Sequence, residues 1–321
     1  MQPGAIWQPK LIDLREIENA FNFEEGFSRP DWKAIAKAID ERVEEPFDRA
    51  AAWNEAARQW VMQLQSDLGG NYRVEESPRF ILLNDLSDQN AGGKILAFAE
   101  RTRDEIRERL QDAAWIPKRG KHVILLFSED DDYYQYVSYY YRDGTHPTTG
   151  GILIHKDYVH IAAPYEPFGI RAMLAHEITH NLVVHLRLPL WLNEGLATTF
   201  QRAVSTTQRP LLDHETREQH LAFWNQANIQ EFWAGISFRK PGDSNKLSYN
   251  LAEIMLNLLT EQSGNWSAFL KQANWNDAGQ TAALQCLDVD LGSVMAIFLG
   301  EGDWRPQRKA MVTLWEKAKT S

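Results

Sequence analysis

Apolar residues recur every three to four positions through most of this chain, and only a few short stretches are continuous or alternating. That periodicity predicts amphipathic helices broken by a few short strands. Residues 1–30 are rich in Pro and Gly and read as irregular, with room for a short helix from Asp13 to Ala20. Pro30-Asp31 then opens a helix with Trp32, Ile35 and Ile39 on one side. A longer helix is predicted from Pro46 to Leu68, carrying Phe47, Trp53, Ala57, Trp60, Val61 and Leu64 and ending at Gly69-Gly70. Phe80–Leu83 and Val123–Phe127 are short apolar runs of strand type. Between them Lys94–Trp115 patterns as a helix, with Ile95, Phe98, Ile106 and Leu110 facing inward. Gly150–Ile154 and Tyr158–Ala162 alternate about His155-Lys156-Asp157, as a hairpin does. His155 and His160 are expected on the surface of that sheet.

A further helix is predicted around residues 170–184, where Ile170, Leu174, Ile178 and Leu182 make one apolar stripe. Pro164 and Pro167 mark the loop before it, and Pro189 limits its extent. Beyond Gln201 the pattern is helical almost throughout: Leu211–Trp224, Leu247–Leu259, Trp266–Ala273, Thr281–Leu287 and Leu291–Leu299, with Trp233–Asn245 read as a loop. The order of elements gives an α+β class. The expected organisation is a helical prefix at 1–77, a sheet-and-helix part at 78–187, and a helical part at 188–321. No period of 20–50 residues repeats, which excludes a solenoid.

Composition narrows the function classes. Twelve tryptophans favour packed helices. With 34 basic and 44 acidic residues the formal net charge is −10, which argues against nucleic acid or an anionic membrane as the main partner. No apolar run reaches bilayer length. The first residues carry no basic, apolar signal, so the expectation is a cytoplasmic protein, or an exported one whose signal peptide has been removed. The lone Cys286 reads as a small buried hydrophobe. The acidic run Glu129–Asp132 lacks the interleaving of a calcium loop and fits the start of a helix, followed by Tyr133, Tyr134, Tyr136, Tyr139, Tyr140 and Tyr141. Those tyrosines read as aromatic packing or as the lining of a cleft.

Chemistry is concentrated in His176-Glu177-Ile-Thr-His180. Two histidines four apart on a helix face the same way and can share one tetrahedral ion. Glu177 lies beside that ion, where it can take a proton from water rather than bind the metal. Two imidazoles leave zinc one protein ligand short. Glu194, in Trp191-Leu-Asn193-Glu194-Gly195-Leu-Ala197 after the Pro189 turn, is the expected supplier. His, His and Glu leave one position open for water, as catalytic zinc requires.

At these residues the chain resembles the gluzincin metallopeptidases, which include the thermolysin-like and aminopeptidase-N-like enzymes, and most closely the bacterial peptidase-MA-like domains. The motifs cover residues 176–199, and a looser likeness in element order runs from Phe80 to the C-terminus, including Phe298–Trp304. The resemblance implies a zincin-like core holding one zinc ion, hydrolysis of peptide or protein substrates, and an edge strand bordering the cleft. It also implies a Tyr or His downstream of the glutamate ligand as oxyanion donor. Tyr249 is the first candidate, with His220 and His214 behind it. Relatives often hold a ligand histidine with an acidic residue one turn after the glutamate; here that position is Thr198, whose hydroxyl can accept a hydrogen bond but leaves the histidine less basic, so the expectation is either lower metal affinity or activity, or another carboxylate in its place. The Gly-x-Met-Glu-Asn segment of the aminopeptidase-like relatives is missing, which favours endopeptidase action or a specialised substrate. Other divalent ions suit the same ligands. Two alternatives stand beside the peptidase reading: a metal-binding or interaction module without activity, and a hydrolase of a non-peptide amide.

Overall fold

The computed structural model describes residues 12–115, 120–141, 150–205 and 211–320. The chain is α+β and divides into two compact units: one runs to Arg103 and resumes through Asn181, the other comprises Asp104–Trp115 and the chain from Leu182 onward.

The first unit opens with a hairpin rather than an irregular leader. Only a single 3-10 turn, Leu14–Glu16, occupies the stretch expected as a helix from Asp13 to Ala20. β1 (Phe21–Glu24) then pairs with β2 (Phe27–Pro30) across Glu25-Gly26. Both turn residues have positive φ, 51° and 79°, as a two-residue turn matched to strand twist requires. In α1 (Trp32–Arg42) the Asp31 carboxylate accepts the Lys33 and Ala34 N–H groups, and Trp32, Ile35 and Ile39 are buried as the spacing predicts. α2 (Pro46–Leu68) starts on its proline and stops at Gly69, φ 67°. Trp53, Ala57, Trp60, Val61 and Leu64 are buried, but Phe47 is exposed. It precedes Trp53 by six residues and therefore points about 120° off the stripe.

A five-stranded sheet follows. Its members are β3 (Arg73–Glu76), β4 (Phe80–Asn84), β5 (His122–Phe127), β6 (Ile152–Ile154) and β7 (His160–Pro164), in the order β3-β4-β5-β7-β6. β4, β5 and β7 run parallel, while β3 and β6 are antiparallel edges. α3 (Ala91–Leu110) links β4 to β5, α4 (Asp130–Ser138) follows β5, and α5 (Ile170–Val183) follows β7. α4 and α5 therefore both leave from the carboxyl edge of the parallel strands. The aspartates of the acidic run lie in the first turn of α4.

One face of the sheet presents Ile81, Leu83, Val123, Leu125 and Phe127 to Trp32, Trp53 and Trp60 in a single core, which Tyr133, Tyr136 and Tyr140 join. Residues of the expected 1–77 prefix thus share a core with the sheet and give it β3. α5 covers the other side near the β6 edge: a Cβ on Gly151 would meet the Met173 sulfur at 2.6 Å and Ala163 Cβ at 3.1 Å.

His160 corrects the sequence reading. It is buried, not on the sheet surface. Its Nδ1–H donates to the Tyr158 carbonyl at 2.7 Å, and its Nε2 accepts the Tyr136 hydroxyl at 2.8 Å. Burial pushes its pKa down to about 4, so it is neutral. His155 is exposed, as expected. Arg29 is also buried, its guanidinium 4.4 Å from the Tyr136 ring and 4.6 Å from that of Tyr139, with Nη2 donating to the Tyr136 carbonyl. This cage ties β2 to α4.

The second unit is helical: α6 (Leu190–Val204), α7 (His214–Phe223), α8 (Ile229–Trp233), α9 (Asp243–Thr260), α10 (Trp266–Gln272), α11 (Gln280–Leu287), α12 (Leu291–Leu299) and α13 (Arg308–Thr320). Two of its tryptophans are core pieces with satisfied indoles: Trp191 Nε1 donates to Ala278 O at 3.0 Å and Trp233 Nε1 to Trp304 O at 2.8 Å. The segment read as a loop, Trp233–Asn245, holds a 3-10 turn at Ser237–Arg239 and the start of α9. Tyr249 therefore lies in the second turn of its helix rather than at the beginning. Among the described residues no single helix is long and apolar enough to cross a membrane.

Candidate metal centre

α5 is set by its apolar stripe. Ile170, Leu174, Ile178 and Leu182 are all buried, and the helix enters through Glu166, whose carbonyl accepts the Gly169 and Ile170 N–H groups. With that face turned inward, His176 and His180 share another. Their Nε2 atoms are 3.0 Å apart and their rings nearly perpendicular, at 82°. Glu177 is buried, 4% exposed.

After α5 a short segment leads to Pro189, whose carbonyl accepts the Leu192 and Asn193 N–H groups and starts α6. This turn brings Glu194 back. The ligand-type atoms of His176, His180 and Glu194 all lie within 4.8 Å of one another. Among the described residues no other group of three His, Cys, Asp or Glu side chains converges in this way. The donor set fits a divalent ion. An ion held tetrahedrally at about 2.0–2.1 Å keeps two imidazole nitrogens about 3.3 Å apart, and the observed 3.0 Å separation is close to that. Two imidazole nitrogens this close hold a proton or a cation between them.

The residues after Glu194 shape the helix that carries it. A Cβ on Gly195 would stand 2.8 Å from the Ala252 carbonyl oxygen, so the backbone of α9 rests directly on α6 at this point. Arg202 and Glu253, whose side chain is buried, form a two-pronged ion pair between the same helices. Gly195→Ala tests the approach. In an ordinary helix the change gains about 1 kcal/mol; here, forcing two backbones apart is expected to cost about 1–3 kcal/mol instead. A thermal midpoint equal to or above that of the parent protein would refute the close-packing account.

Thr198 and Thr199 donate their hydroxyl protons to the carbonyls of Glu194 and Gly195, at 2.7 and 2.8 Å. Thr198 is left with acceptor capacity only. Tyr249 is half-buried, edge-on to Phe238, and three residues before Ala252, hence on the side of α9 that meets Gly195. Its two alternatives are otherwise engaged. His220 is buried; its Nδ1 accepts the Trp224 indole at 2.9 Å, and its Nε2 donates to Asn250 Oδ1 at 2.8 Å. Burial lowers its pKa, and both nitrogens are in use. His214 is exposed at the start of α7, beside Glu218.

Two tyrosines that sequence reasoning left undivided from the aromatic run separate from it in the structure. Tyr133 and Tyr141 both have a raised pKa, from burial first and then from the negative charge of Glu177. Nothing local in the sequence distinguishes them from Tyr136 and Tyr140. The usable signal was topological, since α4 leaves the strand neighbouring the one that feeds α5.

No family model and no curated protein matches the chain.

Proposed function

We propose that this chain is a zinc metallopeptidase of the gluzincin type with a zincin-like core, hydrolysing peptide bonds in peptide or protein substrates. The observation that carries the reading is the convergence of His176, His180 and Glu194 within 4.8 Å, beside a buried Glu177. His176, His180 and Glu194 would hold the ion, leaving one position open. When bound, zinc supplies Lewis acidity to a water and to the scissile carbonyl. Glu177 accepts the proton of the attacking water and delivers it to the leaving amine. Tyr249 is the proposed donor to the oxyanion, from a helix packed on the one that carries Glu194; an unchanged kcat in Tyr249→Phe rejects it. A purely structural metal site has no use for a buried base next to its first ligand, so Glu177 favours the enzyme over an inactive module.

The test is metal removal. Zinc-loaded protein is expected to cut unfolded casein or a random peptide library, to lose that activity on chelation, and to regain it with added zinc, read by mass spectrometry of the fragments. Stoichiometric zinc without any cleavage across the library would replace the peptidase with the binding module or the amide hydrolase.

A further inference from the structure

We infer that Asn181, the residue after the second histidine, is a positioning residue of the metal centre: through His122 and Arg103 it fixes the rotation of α5 about its own axis. The inference rests on the metal-centre reading above and not on the chemistry of cleavage.

The sheet gives α5 two footholds, both within the first unit. Alternation along β5 turns Val123, Leu125 and Phe127 to the tryptophan core, so His122, Ile124 and Leu126 face the side that α5 covers. Near the carboxyl edge Met173 lies against Gly151, which also neighbours Ala163, and Ala163 pairs with Leu126. Asn181 follows Met173 by eight residues, about 12 Å along a helix. His122 precedes Leu126 by four, about 13 Å along a strand. α5 thus runs back along the strands and brings Asn181 level with His122. His176, Glu177 and His180 all lie between the two footholds.

A buried polar trio forms the second foothold. Arg103, on α3, is 3% exposed, His122 6% and Asn181 2%, so their polar groups must be matched inside the protein. The Arg103 Nε–H donates to His122 Nε2 at 3.4 Å, which puts the ring's own proton on Nδ1. Burial pushes the pKa of His122 down to about 3, so the ring stays neutral and keeps that pattern. The Asn181 side chain hydrogen-bonds to the ring and favours its proton, which makes Oδ1 the acceptor. That oxygen has no other partner among the described residues.

The apolar stripe holds α5 on the sheet but does not fix its angle. Burial of Ile170, Leu174, Ile178 and Leu182 has no direction, whereas a hydrogen bond does. Side-chain ends lie about 5–6 Å from a helix axis, so a rotation of about 10° carries them about 1 Å. A misplacement of that size can cost about 100-fold in rate. Glu177 stands one turn before Asn181 on the same flank, and His180 is its neighbour in the chain, so both turn with it. Glu194 belongs to α6, so the three ligand atoms converge only within a narrow range of α5 rotation.

The experiment titrates the full chain with cobalt(II), whose visible absorption reports the coordination of the ion and needs no substrate. Asn181→Leu keeps the size and branching of the side chain and removes the hydrogen bond. It is expected to weaken cobalt binding about 10-fold or more and to change the absorption bands. Ile178→Val, a packing loss on the same helix, is expected to lower the thermal midpoint while cobalt affinity stays within about threefold of the parent. His122→Gln can still accept from Arg103 and donate to Asn181, and is expected to bind cobalt as the parent does. In peptide cleavage, Asn181→Leu is expected to lower kcat by about 10–100-fold with KM within about threefold. Parental cobalt affinity in Asn181→Leu, or an equal loss in Ile178→Val, overturns the inference. If Asn181→Leu does not fold, Asn181→Ser, whose hydroxyl falls short of the ring, is judged by the same criteria. Tight cobalt binding without cleavage removes the hydrolase reading and leaves this inference to the titrations. A parent chain that takes up no cobalt removes both.

Discussion

Glu177→Gln is expected to lose about 10²–10⁴ of turnover, the range that a positioned general base supplies, while metal content and thermal midpoint stay at parental values. The amide matches the carboxylate in size, so the buried position keeps its packing. It cannot accept the proton of the attacking water, and position 177 is not among the three residues whose ligand atoms converge. Activity and affinity for the ion should therefore separate in this variant. Metal analysis beside kcat on the peptide library checks it. A rate within about threefold of the parent would eliminate Glu177 as the base, and a loss of bound metal would recast it as a ligand. The same variant removes the charge that acts on Tyr133 and Tyr141, so it also asks whether those phenols matter beyond packing.

The sequence could be read this far because local signals and tertiary structure agree along the helices. α2 starts at Pro46 and ends at Leu68, where Pro and Gly punctuate an apolar stripe. α5 buries the four residues its spacing singles out. Where partners are distant in sequence, local pattern fails. β3 is Arg-Val-Glu-Glu, a charged strand at the edge of the sheet beside β4, so it carries no strand alternation to detect. The turn at Glu25-Gly26 is a hairpin because both residues adopt positive φ, a conformation that the bare Glu-Gly pair does not announce. His160 looked like a surface residue between two apolar neighbours. Its partner Tyr136 lies 24 positions upstream on another element, and only the fold makes that pair. The candidate triad falls between these cases: the i, i+4 histidines are local and legible, whereas the return of Glu194 depends on the Pro189 turn. The Gly195–Ala252 contact spans 57 residues and was invisible, although the glycine itself stood in the motif.

Glu194→Ala separates the metal from the fold. Loss of a carboxylate that hydrogen-bonds behind a ligand typically costs about 10–100-fold in affinity; loss of a direct ligand is expected to exceed that, so zinc binding should weaken by more than about 100-fold and cleavage should vanish. The apo protein should not suffer. Alanine is the best helix former and position 194 lies inside α6, so the helix is kept. The contrast appears when metal is added. An ion that binds only the folded state stabilises it by about 2.7 kcal/mol at 100 times its dissociation constant, so excess zinc should raise the parental thermal midpoint and barely move that of Glu194→Ala. His176 and His180 remain in the variant with their nitrogens 3.0 Å apart, so weak residual binding is expected from the pair alone. If the variant instead holds zinc as tightly as the parent, the third ligand is not Glu194, and the open coordination position on which the proposed hydrolysis depends has no structural basis.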